Sequence, residues 1–490
     1  MKSNINKKTI LLGLLSLLLF VTACKKALDI NQDPNNPSLD QGNPRLVFPA
    51  AVMATAGMEG GDIAILGGIW GEYVTQSALA NQYKFIDAYD VKSTDLNSQY
   101  SGLFTGGLKN YQFVIDKARD AQDWNFYLMS EVMKAYNTGL LVDLYDKIPY
   151  SEALGGSSNL NPHFDNGDAI YADLIAGIDS AMAKDFTASS NSTPGTADLI
   201  FGGDMDKWKR FANTMELKLY LRMVNANASG AQAGIQKLYT NGAEFLETDA
   251  GIFGFTDVPG QDNPLYEQNI RQLNTPNNLR ASRTFVSWLE DNNDPRIESY
   301  FGTTTPNSIH QGDYLGTDPS YQSAAVFVES PTDPVIFISA AESYFLQAEA
   351  RERYFSGDQA ESLYNQGVLA AFTSVGQDGS SFITGAYKYP TGSLEQKIEA
   401  IATQKWASFA YGVHFIEGFF EKQRTGYPLT SPVYSTDGSY VSGQFVVSKN
   451  SVLPPGALPR RLAYPDVEVS RNSNTPELIP ITVPVWWGKP

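Results

Sequence analysis

Residues Ile338–Phe372 constrain this chain most. They read ISAAESYFLQAEARERYFSGDQAESLYNQGVLAAF, two helices folded back on each other. The first runs through helix formers with no proline or glycine until Gly357. The second is expected to start at Asp358 as N-cap, with Glu361 in capping-box register. Ala348, Ala360 and Gly367 are small enough for close helix approach, and Tyr344 and Tyr364 are expected to fill the groove between. With Tyr344 at position four, the small residues fall at positions eight, 20 and 27, and Tyr364 at 24. That is the spacing of a 34-residue helix-pair repeat, which an ordinary antiparallel hairpin also satisfies. Arg351 departs from it, standing where the repeat prefers an aromatic.

The start of the chain sets an address. Lys2, Lys7 and Lys8 precede an apolar run, Ile10–Ala23, that is too short to span a bilayer comfortably. The run ends Val21-Thr22-Ala23-Cys24, the pattern of a bacterial lipoprotein signal, and Cys24 is the chain's single cysteine. Acylation of Cys24 explains both facts, since several acyl chains at roughly 0.8 kcal/mol per buried CH₂ hold a folded body on a membrane. Lys25 rather than Asp follows, which favours the outer membrane. The expected organisation is a signal peptide at 1–23, an acylated Cys and extended Pro/Asn/Asp tether at 24–43, and one helical domain at 44–490. Loop-rich subregions are expected at about 247–335 and 425–490 of that domain.

The domain reads as mainly all-α. Pro44–Ala80 is helical in pieces, broken at Gly60-Gly61 and Gly67-Gly68. Asn110–Arg119 and Phe126–Tyr145 are helices, the second with an amphipathic stripe at Met129, Met133, Tyr136, Leu140 and Leu144. Asp168–Lys184 and Asp206–Asn227 follow, the latter capped by Asp204; Ser393 with Gln396 opens another helix towards Phe420. Tyr300–Asp333 is irregular, and loops of that length are usually functional. Gln444–Ser448 is strand-like.

The net charge of −17 becomes −20 once the three leader lysines are removed, which excludes a nucleic-acid partner needing a basic face. His163, His310 and His414 have no zinc-ligand spacing, and His414 between Val413 and Phe415 reads as a core histidine. Asp257–Asp262 is acidic but lacks EF-hand spacing. No nucleophile elbow, phosphate loop or dinucleotide fingerprint occurs, so neither an enzyme, a metal nor a cofactor is expected.

Four stretches carry a family resemblance. They are Cys24 with Asp29-Ile30-Asn31 and Asp33–Pro37; Tyr145–Leu154; Ala340–Ala350 with Gln404-Lys405-Trp406 and Arg424–Pro428; and Arg460–Pro465 with Trp486-Trp487. In this order the chain resembles the SusD/RagB family, the surface nutrient-binding lipoproteins of the Bacteroidetes. The resemblance implies tetratricopeptide-like helix pairs with long irregular loops forming a ligand face. It also implies a partner, a SusC-like TonB-dependent outer-membrane barrel that the lipoprotein caps as a lid.

Aromatic residues on loops are the remaining candidates for chemistry. A flat ring buries the C–H face of a sugar while amides bond its hydroxyls. Trp70, Tyr83, Tyr89, Tyr266, Tyr314 and Tyr321 are the expected platforms, with Asn81, Gln82 and Arg271 as polar partners. Trp208, Trp406, Trp486 and Trp487 are expected in the core. The function expected is capture of an oligosaccharide and its delivery to the barrel. The alternatives are a peptide ligand, or an adaptor lipoprotein with no small ligand.

Overall fold

The computed structural model describes residues 42–155, 158–274 and 277–489. The leader, Cys24 and most of the tether lie outside them. Helix α1 (Pro44–Met58) passes through a π turn, Glu59–Ile63, into α2 (Ala64–Trp70). Gly61 breaks the helical geometry there, at φ −98° and ψ −116°. Gly67-Gly68 does not break the chain as expected but lies inside α2. A β-carbon on Gly67 would stand 2.4 Å from the backbone nitrogen of Ile416, so the glycine serves close approach to a later helix.

The body is a set of paired helices. α3 (Lys109–Ala121) packs on α4 (Trp124–Tyr145), which also receives α5 (Gly167–Met182) and α6 (Met205–Arg222); α6 pairs with α7 (Ala228–Thr240). After α8 (Arg283–Asp291) come the hairpin α9 (Ala340–Tyr354) and α10 (Ala360–Thr373), then α11 (Leu394–Ser408) and α12 (Phe415–Thr425). α9 also touches α11, and α12 lies on both α11 and α2. Among the described residues, three two-stranded antiparallel ribbons tie loops to this body: Val74–Gln76 with Leu279–Ala281, Ile148–Pro149 with Phe164–Asp165, and Ala250–Ile252 with Val335–Ile338. Gln444–Ser448 makes only an isolated bridge, Phe445 to Thr430.

Capping chemistry explains several boundaries. Asp204 accepts from the backbone N–H of Asp206 and Lys207, and Ser393 with Gln396 forms the full capping box. Asp358 does not cap α10. The cap is Gln359 at φ +64°, and Asp358 turns instead towards Arg351, 3.7 Å away. In the hairpin, Phe345 rather than Tyr344 meets Tyr364, edge-on at 5.9 Å, and its ring fills the space left by Gly367. Tyr344 is half-buried on another face, within reach of the charges of Glu247 and Arg210. The departure at Arg351 is resolved by its guanidinium lying 4.3 Å from the ring of Tyr239 and 5.1 Å from that of Phe355.

The α4 stripe is wider than expected. Ser130, Glu131, Asn137, Thr138 and Asp143 are buried as well, because α3, α5 and α6 cover the helix on several sides. The core that results is charged. Lys218 bonds Glu342 and Glu417 at 2.9 and 3.0 Å, and Arg222 bonds Glu417 and Asp143 at 2.6 and 3.3 Å. Arg424 joins Glu349 to Glu421, and His414 joins Glu59 to Glu342. Burial pulls the His414 imidazole down, but its hydrogen bonds to Glu342 and Glu59 outweigh this and push it up to about 9. Trp208, Trp406 and Trp487 are fully buried, and Trp486 is half-buried.

Candidate functional site

The loops that interrupt the helix pairs meet over α2. Residues 302–334 and 426–459 are locked together by side chains reaching the facing backbone. Tyr434 donates to the Gln311 carbonyl at 2.7 Å and Asn450 to the Gly312 carbonyl at 2.6 Å; the Lys449 N–H donates to Gln311 at 3.1 Å. Gly312 has φ +74°, and a β-carbon there would fall 1.8 Å from the Ser448 hydroxyl, so no other residue fits this crossing. Gln311 lies beneath and fastens the loop to the body, donating to the Ile69 carbonyl at 3.1 Å and to Asp87 at 3.0 Å.

Between the two loops runs an open groove of about 430 Å³. Its walls include His310, Asp313, Leu315, Tyr321, Lys449 and Asn450. Asp313 accepts from the Tyr321 hydroxyl at 3.0 Å and from Lys449 at 3.2 Å, so a carboxylate, a phenol and an amine are fixed at one point. His310 shares a 2.7 Å hydrogen bond with Ser435, and burial, then the charge of Arg283, lowers its affinity for a proton. Leu315 is 66% exposed and gives the groove an apolar ridge. This arrangement offers hydrogen bonds and one apolar contact.

The expected site residues are dispersed around this groove. Tyr321 lies in its wall. Tyr314, beside Asp313, is 9% exposed with the Lys84 ammonium 5.2 Å above its ring, so Lys84 and Tyr314 bring the 81–84 turn to the same face. Asn81 and Gln82 are exposed there; the Gln82 N–H donates to Asn278 at 3.2 Å. Tyr83 is buried, its backbone N–H donating to Gln76 at 2.7 Å; burial raises its pKa, with the charges of Asp62 and Glu329 adding to this. Trp70 and Tyr89 are interior. Trp70 donates to the Ile86 carbonyl at 3.0 Å, and the Tyr89 hydroxyl accepts from the Ser448 N–H at 3.2 Å. Both rings are covered by protein and by each other, edge-on at 6.4 Å. Arg271 ends a separate π turn, Glu267–Arg271, which Tyr266 immediately precedes; the guanidinium lies 5.4 Å from the Tyr266 ring and bonds Asp257 and Asp262 at 2.6 and 2.5 Å. The Asp257–Asp262 carboxylates are thus neutralised within the chain.

His310, Asp313, Leu315, Lys449 and Asn450 were not among the expected ligand residues. Their one signal is membership of long aperiodic loops, which marks a region without selecting residues.

A family model described as starch-binding associating with outer membrane, the SusD-like family, matches residues 68–465. The chain belongs to that family. No curated protein matches it. Among solved structures, a chitin-binding protein is 21% identical with a TM-score of 0.71, covering 91% of this chain and all of its own. A SusD homologue from Bacteroides uniformis is 21% identical, with a TM-score of 0.70 over 92% of this chain and 100% of that one. A chitin-binding SusD homologue from Flavobacterium johnsoniae is 22% identical, with a TM-score of 0.70 over 91% of this chain and 97% of that one. At these identities the likeness is one of fold.

Proposed function

We propose that this chain is a non-catalytic glycan-binding lipoprotein of the outer membrane whose ligand lies along the groove between the 302–334 and 426–459 loops. The observation that carries the reading is the family match over residues 68–465. Support comes from the groove itself, where Leu315 and the edge of Tyr321 receive the C–H face of a sugar. Asp313, Lys449 and Asn450 bond its hydroxyls. In this reading residues 1–23 are removed, Cys24 is acylated, and the 24–43 tether links the lipid to one domain from residue 44 onward. A TonB-dependent barrel receives the glycan from beneath this lid.

Calorimetric titration with soluble chito- and malto-oligosaccharides tests the reading, alongside a hydrolysis assay on the same sugars. We expect binding without turnover, lost on combining Leu315→Ala, Lys449→Ala and Asn450→Ala. Turnover, binding that survives the triple change, or binding of peptides and no glycan would overturn it.

A further inference from the structure

A second cavity lies apart from the groove and shares no lining residue with it. It encloses about 410 Å³ among α12, the 456–460 turn and the end of the tail. Trp70, Phe419 and Phe445 form part of its wall, and Lys422, Arg460 and Lys489 bring three cations to it. Among the described residues no aspartate or glutamate lines it. In a chain with 53 acids against 36 bases, three convergent cations without an acid are unusual.

These three cations, of which Lys489 is exposed and Arg460 half-buried, differ from the cations of the charged core in how they are held. Lys218, Arg222, Lys405, Arg424 and Arg296 each have a carboxylate within 3.0 Å. Lys422 is held by carbonyls: it donates to Gly426 at 2.9 Å and to Pro428. Arg460 donates from Nε to the Gln423 side chain and from one Nη to the Lys489 carbonyl. Its other terminal nitrogen makes no hydrogen bond among the described residues. Lys489 reaches the Thr425 carbonyl at 3.1 Å and, among the described residues, pairs with one carboxylate, Glu395, at 4.0 Å. The protein therefore orients two amines and a guanidinium towards one space whose lining, among the described residues, includes no acid.

Such a group of donors is matched by a planar anion that can take a forked bond from a guanidinium and a point contact from an ammonium. We propose that this cavity binds the carboxylate of a small organic acid, either a uronic acid unit of a glycan or the free end of a short peptide. Its volume is that of a small-ligand site. The proposal stands whether or not the groove binds neutral sugar.

The site has a built-in pH response. Burial lowers the Lys422 amine to about 7; the charge of Glu72 pushes back and those of Arg460 and Lys489 push further down, while burial raises the Glu72 carboxyl itself to about 8, so both groups take up a proton over the same range. Glu395 is the further charge on the Lys489 side. Protonated Lys422 attracts the anion, so affinity rises as pH falls from 8 to 6.

Titration of the full chain with galacturonate, with galactose, with an acetylated dipeptide bearing a free C-terminus, and with its amide tests the proposal. Sodium sulfate serves as the charge control. One of the two carboxylates is expected to bind, its neutral counterpart and sulfate more weakly by about tenfold or more. Which acid binds identifies the source. Arg460→Gln should weaken that binding about tenfold, Arg460→Lys less, with unchanged melting in both, and affinity should be several-fold higher at pH 6 than at pH 8. Equal binding of acid and neutral partner, equal binding of sulfate, or no binding would overturn it. So would binding seen only after removal of Pro490, which would mean that the chain's own end fills the cavity.

Discussion

Replacing Arg424 by Met isolates what the charged core contributes. Arg424 is 2% exposed and holds Glu349 through two bonds of 2.7 and 2.6 Å and Glu421 through two of 2.5 and 3.3 Å. Methionine fills much of the volume but leaves two carboxylates facing each other in the interior. Arg353 stays on Glu349 at 2.7 Å and Lys405 on Glu421 at 3.0 Å, so neither acid is stripped entirely. Removing one partner of a buried pair costs about 3–5 kcal/mol, and the remaining cations place Arg424→Met towards the lower end of that range. Arg283→Met is the control, since its bond to Glu290 at 2.8 Å is partly exposed and worth about 1 kcal/mol or less. Burial raises the Glu349 carboxyl, but Arg424 and Arg353 more than reverse this and hold it below its ordinary value. A carboxyl lowered in the fold stabilises above its unfolded pKa, near 4.3, and loses that stability as pH falls. The gap between wild type and Arg424→Met should therefore be full at pH 7 and shrink towards pH 4. Urea unfolding followed by circular dichroism at both pH values measures it. A loss at pH 7 no larger than that of Arg283→Met, or a gap that widens in acid, would refute the reasoning.

Further outcomes follow from single contacts. Gly67→Ala should cost about 1–3 kcal/mol in urea unfolding, because its β-carbon meets the Ile416 backbone, which cannot turn aside as a side chain can. His414, pushed up to about 9, should remain protonated at pH 7.5 in imidazole NMR. Its raised pKa stabilises fully below about 6.5 and is lost as pH rises towards 9, so wild-type stability should fall over that window and that of His414→Gln should fall less. Trp487→Ala should cost about 3–5 kcal/mol, since the indole is fully buried and donates to Asp143 at 2.7 Å.

Much of the helical body was legible because its signals are local. Periodicity gave α3 to α6 within a few residues, Asp204 and Ser393 announced their caps, and the α9–α10 spacing gave a helix pair. The errors are of one residue or one face. Phe345 and Tyr344 are neighbours, and only the crossing geometry decides which meets Tyr364. Gln359 displaced Asp358 as cap because the turn at Ser356 and Gly357 carries the chain through positive φ before α10 begins. The charged core was invisible, as Lys218, Glu342, Glu349 and Glu417 come from three helices whose polar residues look like solvated faces. The groove was hidden for the same reason. Its walls come from two loops about ninety residues apart, and aromatics such as Trp70, at the end of α2, and Tyr89 turned inward to support them.

The position of Trp487 bears on how the chain closes on itself. Its indole bonds Asp143, 344 residues earlier in the chain, so the packing around α4 is completed by a segment far away in sequence. A contact that spans so much chain carries a large loop-closure cost and forms late, so α4 keeps one buried carboxylate short of a donor until the 485–489 segment docks.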